Sequence, residues 1–565
     1  MAIGDQDATG GRSADVQATF CRALVDEWVR LGVDSAFVAP GSRSTPMVLA
    51  LAADSRVAVH VFHDERSAAF AALGAGLRSG RPSLVVCTSG TAATHFHAAI
   101  VEADLAGVPM IVVTADRPPE LQGVGAPQTI RQDDLYGSAA HWFHDPGVPM
   151  VDSRSSWRGV ARRCVSEAVR RPMGAVHLNL PFREPLVGVA DDLPDVDSDE
   201  PHTDTSSSNV FAHQTTDRLV SEWSVARPLL VAGRGATGRL MEVAIGRGWP
   251  VLAEARARDC ADVITHFDSI VRHAPFADAE IPDLVVRVGD PPASKVLGQW
   301  LLRHEVRQIH VSPDGRVYDP DRVMAERIVC NADDLVAVFD AVRPCDPTWT
   351  ERWSDAERKA RVAVDVGLRS EDATGVASVV AFAHGLPETA ALVVSSSMPI
   401  RDLEWFGGRL GDRLVFSNRG ANGIDGVIAT AIGVATSHEG PVGVLIGDVA
   451  TLHDSSSLAA LARRGLDVRI LVVDNDGGGI FHHLPQRTSV EPAVFEALYG
   501  TPHGTDFAAL ASAHGLRARV VVDTGSLVAA AAEPGPSLTI VRTDRDRDVE
   551  AHRRLHAAVA RTLDE

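Results

Sequence analysis

Lysine is almost missing from this chain. Lys295 and Lys359 are the only two in 565 residues, so arginine supplies 52 of the 54 cationic side chains. Schiff-base chemistry has two candidates at most, whereas the guanidinium fork suited to carboxylates and phosphates is abundant. Positive charge as a whole is in deficit, with a net charge of −20. That deficit excludes the basic stripes of a nucleic-acid-binding surface but permits a locally basic cleft for small anions. The six cysteines (Cys21, Cys87, Cys164, Cys260, Cys330 and Cys345) contain no C-x-x-C pair. They suit neither a zinc site nor a disulfide framework and read as reduced, buried thiols. No apolar run approaches the roughly 18 residues of a membrane span, and the start "MAIGDQDATGG" lacks a signal-peptide profile. We expect a cytoplasmic protein with neither membrane nor nucleic-acid partners.

Short β-branched runs alternate with alanine-rich stretches along the whole chain. "SLVVCTSGTAATHFHAAIVEADLAGVPMIVVTADRPPE" (83–120) orders as strand, polar turn, helix, strand, and residues 440–479 repeat that order. Both are βαβ units, so the fold class is α/β with doubly wound parallel sheets. A chain this long exceeds one core. The acidic, Ser/Pro-rich segment 189–209 reads as a linker, and 343–361 as a second, partly helical connector. We expect domains at 1–188, 210–345 and 346–565, the first and third alike in organisation.

Ligands of such sheets bind beyond the carboxyl ends of strands. "VLIGD" ends a strand on Asp448, and "ILVVDN" ends the next on Asp474 and Asn475, 27 residues after Asp448. A carboxylate, an amide oxygen and the Gly477 backbone carbonyl suit a hard divalent ion that takes its other ligands from water and phosphate. The plain alternative is a helix-capping Asp448 followed by a "DNDGGG" loop. Similarly, Glu65 in "FHDERSAAF" reads first as an acid at a helix start.

Together these residues resemble the GD…N signature of thiamine-diphosphate enzymes, with Val449 and Asp474 as small departures. The strings "APGSRSTP" (39–46), "FHDERSAAF" (62–70), "TSGTA" (88–92), "TADRPPEL" (114–121), "SNRGANGIDG" (417–426) and "NDGGGIF" (475–481) extend the resemblance over nearly the whole chain. They are similar to the 2-succinyl-5-enolpyruvyl-6-hydroxy-3-cyclohexene-1-carboxylate (SEPHCHC) synthase family. The resemblance implies three domains: pyrimidine-binding, central Rossmann-like and diphosphate-binding. It implies decarboxylation of 2-oxoglutarate on thiamine diphosphate and addition of the remaining four-carbon unit to isochorismate.

By position, Glu65 would bond the aminopyrimidine nitrogen N1′, and Asp448, Asn475 and Gly477 would hold Mg²⁺ or Mn²⁺. Ser89, Gly90, Ile424 and Phe481 would contact the cofactor. Ser42, Arg43, Arg117, Gln128, Lys295, Ser397, Arg401, Arg419, Phe481 and Leu484 would line the substrate pocket. Pro127 and Val296 depart from the family pattern near the isochorismate contacts. A homodimer or dimer of dimers follows, because the family shares each cleft between two chains. In the middle region, Gly233, Gly235, Gly238 and Glu254 match the spacing of a dinucleotide fingerprint. A flavin-requiring carboligase or oxidoreductase is the competing reading that rests on them, and a non-catalytic member of the fold is a third.

Overall fold

The computed structural model describes residues 4–196, 213–257, 260–370 and 373–565, with side chains from Arg12 onward except at positions 213, 214 and 370. The described start of the acidic segment, 189–196, has no regular structure and is pinned along the helix Gly4–Arg30. There Val189 N–H donates to Asp15 (2.6 Å) and Asp191 N–H to Thr19 (2.9 Å), while Arg158, from the helix Trp157–Val169, donates to the Pro194 carbonyl (2.9 Å). Positions 197–209 lie outside the described residues.

Three parallel sheets form. The first holds β1 (Ser35–Val38), β2 (Ala58–Val61), β3 (Ser83–Cys87), β4 (Met110–Asp116), β5 (Ala140–His144) and β6 (Ala175–Pro181) in the order β2-β1-β3-β4-β6-β5. The second holds β7 (Pro228–Ala232), β8 (Val251–Ala253), β9 (Leu284–Val288), β10 (Arg307–Ser312) and β11 (Met324–Val329) in the order β11-β10-β9-β7-β8. The third holds β12 (Ala391–Val394), β13 (Leu414–Phe416), β14 (Val442–Gly447), β15 (Val468–Asp474), β16 (Arg517–Val521) and β17 (Ser537–Arg542) in the order β13-β12-β14-β15-β17-β16. The first and third orders are the same topology. In each, the winding direction reverses between the first and third strands, which opens a crevice at the carboxyl ends there. The inner strands β3, β4, β6, β12 and β15 are buried along their whole length, as continuous apolar runs covered on both faces should be.

By packing, the chain forms two compact units: residues 1–205 with 418–439 and 453–466, and residues 206–417 with 440–452 and 467–565. Within the first, the helices Glu65–Ser79 and Val427–Thr436 pack backbone against backbone. A Cβ on Gly74 would stand 2.0 Å from the Thr430 carbonyl oxygen, and one on Gly433 would stand 1.9 Å from that of Ala71. Only glycine permits that approach. Within the second unit, Trp300, Trp349 and Trp353 join the second sheet to the helices Pro347–Ser370 and Arg545–Asp564 in one apolar core.

The glycine-rich turn after β7 has a structural use. A Cβ on Gly233 would meet the Asp290 carbonyl oxygen at 1.7 Å. The buried Glu254 carboxylate accepts from Arg234 N–H (3.0 Å) and Arg256 Nε (2.7 Å), and both arginines also reach Asp290. The acid that would read a ribose is therefore already engaged within the protein. All six cysteines are free and buried. Among the described residues no helix is long and apolar enough to cross a membrane.

Candidate active site

In the first unit, the carboxyl ends of β2, β1, β3 and β4, neighbours in that order, carry Glu65, Ser42 with Arg43, Ser89 with Gly90, and Arg117. Glu65 opens its helix directly after the cap Asp64, whose side chain accepts from Arg66 N–H. The Glu65 charge is close enough to the buried Cys87 thiol to help raise its pKa, burial being the larger cause. Gly90 takes φ 87° and ψ −146°, a region that strongly favours glycine. Its N–H donates to Gln132 Oε1 at 2.8 Å, and the Gln128 backbone packs against it. Ser89 Oγ is buried and has no hydrogen-bond partner among the described residues.

Arg43 is 4% exposed and donates to the Phe182 carbonyl and to Glu184, both at 2.9 Å. Its Nε is buried and has no hydrogen-bond partner among the described residues. Burial first, and the Arg117 charge second, lower its pKa. Arg117, half-buried, donates to the Pro127 carbonyl at 3.0 Å. Ser42 and Gln128 are exposed, Gln128 at φ 52°.

A buried network that carries no sequence pattern stands behind this rim. Asn179 Oδ1 accepts from Thr114 (2.8 Å) and Gln132 (2.9 Å), while its amide donates to Asp116 (3.0 Å) and Asp145 (2.9 Å). Asp116 Oδ1 in turn accepts from Arg117 N–H at 2.6 Å. Gln132 and Asn179 thereby tie the turn at Gly90 to the turn at Arg117. Arg419 and Ile424 belong to the same unit. Their loop is held by Glu102, whose carboxylate accepts from Gly420 N–H (2.8 Å) and Ala421 N–H (2.7 Å).

In the second unit, the neighbouring ends of β12, β14 and β15 carry Ser397 with Arg401, Asp448, and Asn475 with Gly477. Ser397 sits at φ 78°, a conformation that costs a non-glycine residue on the order of 1–3 kcal/mol. Its carbonyl accepts from the Arg401 guanidinium, whose pKa is lowered by burial. Asp448, 2% exposed, is locked in place. Its Oδ2 accepts from Asn475 N–H (3.0 Å) and Gly477 N–H (2.9 Å), and its Oδ1 from Val449 N–H (2.7 Å). Asn475 Oδ1 is buried with no hydrogen-bond partner among the described residues. At Gly477 φ is 137° and a Cβ would fall 1.8 Å from the Gly500 carbonyl oxygen.

An orphaned amide oxygen beside a fixed carboxylate and a glycine carbonyl is a hard oxygen set, and it fits a divalent ion such as Mg²⁺ or Mn²⁺. Asp474, a strand-end acid given no ligand role above, and His503, which the motifs do not contain, extend the cluster: single ligand-type atoms of Asp448, Asp474 and His503 lie within 4.8 Å of one another. Burial, with the Asp448 charge, pushes the Asp474 carboxyl up. Phe481 is half-buried with its ring centroid 5.5 Å from that of Tyr499, and Leu484 is 40% exposed. Lys295 is exposed at the start of its helix in the same unit.

Residues 18–135 match the family described as thiamine pyrophosphate enzyme, N-terminal TPP binding domain, and residues 411–540 match its C-terminal counterpart. The chain is 36% identical to the 2-succinyl-5-enolpyruvyl-6-hydroxy-3-cyclohexene-1-carboxylate synthase of Myxococcus xanthus, over 98% of this chain and 99% of that protein. It is 39% identical to the protein of the same name from Rubrobacter xylanophilus, over 94% of this chain and 97% of the relative. The Halobacterium salinarum protein of that name is 38% identical over 88% of this chain and 90% of its own length. With both strand-end constellations in place and full-length relatives above 30% identity, this chain belongs to the SEPHCHC synthase family of thiamine-diphosphate enzymes.

Proposed function

We propose that this protein decarboxylates 2-oxoglutarate and adds the remaining four-carbon unit to isochorismate, forming SEPHCHC and CO₂ on the route to menaquinone. The observation that carries the reading is the Asp448–Asn475–Gly477 set at the rim of β14 and β15, with the unpartnered Asn475 Oδ1. Asp448, Asn475 and the Gly477 carbonyl hold Mg²⁺ or Mn²⁺ against a diphosphate in this reading. Bound thiamine diphosphate supplies the electron sink that both decarboxylation and carbon–carbon bond formation need. Glu65 bonds the ring nitrogen N1′, and Ser89, Gly90, Ile424 and Phe481 shape the cofactor's berth.

Both substrates carry two carboxylates, and Arg43, Arg117, Arg401 and Arg419 supply fixed forks for them. Ser42, Gln128, Lys295 and Ser397 add polar contacts, while Phe481 and Leu484 exclude water. Arg43 is partly pre-engaged. Its Glu184 partner has a side chain 73% exposed, and a half-exposed ion pair is worth little. A substrate carboxylate can therefore replace Glu184 while the Phe182 carbonyl keeps the guanidinium in place.

The same reading divides the chain into pyrimidine-binding, central and diphosphate-binding domains. It pairs the first domain of one chain with the third of another, in a homodimer or a dimer of dimers. A cytoplasmic setting suits six unpaired thiols.

The test is incubation with thiamine diphosphate, Mg²⁺, 2-oxoglutarate and isochorismate, following the isochorismate chromophore. Loss of the chromophore should require all four components. CO₂ release without isochorismate consumption would instead mark a related 2-oxoacid carboligase with a different acceptor.

A further inference from the structure

His503, in "TPHG" (501–504), stands beside the proposed metal site without an assigned part in it. Hydrogen bonds assign its two ring nitrogens. Thr505 N–H donates to Nδ1 at 3.0 Å. A backbone N–H only donates, so Nδ1 is the acceptor and the ring proton resides on Nε2. That Nε2 is buried, has no hydrogen-bond partner among the described residues, and lies 3.4 Å from Asp448 Oδ2. The ring has little freedom to turn elsewhere. The backbone N–H groups of His503 and Gly504 both donate to Asp476 Oδ1, at 2.9 and 2.8 Å, and the ring meets Phe507 edge-on at 5.6 Å.

The grouping of Asp448, Asp474 and His503 has the look of a three-ligand metal centre. A metal needs the Nε2 lone pair, however, and a proton occupies that position. We infer that His503 is a positioning residue whose Nε2–H closes the 3.4 Å gap to Asp448 Oδ2 when the cation is bound, and that it is not itself a metal ligand. This rests on the metal-holding role proposed for Asp448. Asn475 N–H and Gly477 N–H already donate to Oδ2, and His503 Nε2 stands 3.4 Å from the same oxygen, so Oδ1, which accepts from Val449 N–H, keeps a lone pair for the cation. The donor set stays all-oxygen, which selects hard ions; an imidazole ligand would move the preference toward softer transition metals.

The test titrates Mn²⁺ in the presence of thiamine diphosphate, reading free Mn²⁺ by electron paramagnetic resonance. His503→Asn keeps an acceptor near Nδ1 for Thr505 but removes the Nε2 donor, and His503→Gln restores an amide N–H near Nε2. Loss of an outer-shell partner typically weakens metal binding 10–100-fold, so His503→Asn should bind Mn²⁺ at least about tenfold more weakly. His503→Gln should stay within about threefold of the parent, and pulsed spectra of the parent should show no directly bonded imidazole nitrogen. Unchanged affinity in His503→Asn, or a strong imidazole nitrogen coupling, overturns the inference. Asp448→Asn separates the two levels: if it too leaves Mn²⁺ affinity unchanged, the metal reading itself fails. If it alone abolishes binding, only the part given to His503 falls.

Discussion

Glu65 begins the helix Glu65–Ser79 half-buried, and among the described residues no group donates a hydrogen bond to its carboxylate. A carboxylate held by the scaffold but left without a partner is available to a ring nitrogen. Glu65→Gln removes the charge and keeps the shape. Its loss at a helix N-terminus costs about 0.3–1 kcal/mol, so the fold should persist. Turnover should fall by roughly 10²–10⁴-fold, the range typical of a positioned acid–base group, while Mn²⁺ affinity stays unchanged. A steady-state assay beside a Mn²⁺ titration reads both, and near-normal turnover would remove Glu65 from its assigned part.

Among elements, the pair Glu65–Ser79 and Val427–Thr436 depends on absent side chains. Gly433→Ala would place a methyl 1.9 Å from the Ala71 carbonyl oxygen, a backbone atom that moves only with its helix. Overpacking of this kind costs about 1–3 kcal/mol, so the denaturation midpoint should drop. The control is Gly298→Ala, inside the helix Lys295–Arg303, where a Cβ meets nothing within 4 Å. There the better helix former should hold or slightly raise the midpoint. Equal midpoints for the two variants would mean that the helices separate without cost. The loop before Val427–Thr436 is likewise set by one remote acid, Glu102, which takes two of its backbone N–H groups.

At the scale of the whole molecule, burial sets the acid side of stability. It holds His177 and His483 down to about 3 and His60 down to about 4. It also pushes Asp454 and Asp548 up to about 6. The histidines are neutral when folded, so their contribution is fully present above the unfolded pKa near 6.5 and is lost as pH falls toward 3–4. The two acids act oppositely between about pH 4 and 6, where the folded state holds protons that the unfolded one releases. Burial also lowers His144, His310, His482 and His556 and raises Asp116 and Asp474, so seven histidines oppose four acids. Net stability should therefore fall on acidification, by roughly 1.4 kcal/mol per pH unit for each unopposed group. Chemical denaturation at pH 7.5, 6 and 5 measures the slope, which His177→Gln should flatten. A rising midpoint on acidification would contradict the sign.

Assembly belongs to the same scale. If each cleft combines the first domain of one chain with the third of its partner, mixing Glu65→Gln with Asp448→Asn should restore activity. Random pairing into dimers yields about a quarter of the parent rate. No recovery after subunit exchange would reject shared clefts.

Much of this protein was legible locally. Period-two and continuous apolar runs mark parallel strands, and an acid, amide or glycine directly after such a run lands at the sheet's carboxyl rim. Glu65, Asp448, Asn475 and Gly477 follow such runs and fall within the motifs of the resemblance. The sequence by itself thus determined the α/β class, the strand ends and the chemistry offered there. Only the tertiary structure decided what surrounds those ends. Gln132, Asn179, Glu102 and His503 occur in no motif, because their partners stand far away in sequence and a hydrogen bond between remote positions leaves no local pattern. The strand orders, the close approach of Gly74 and Gly433 to distant backbone, and the proton on His503 Nε2 were decided in the same way, by contacts that exist only once the chain has folded.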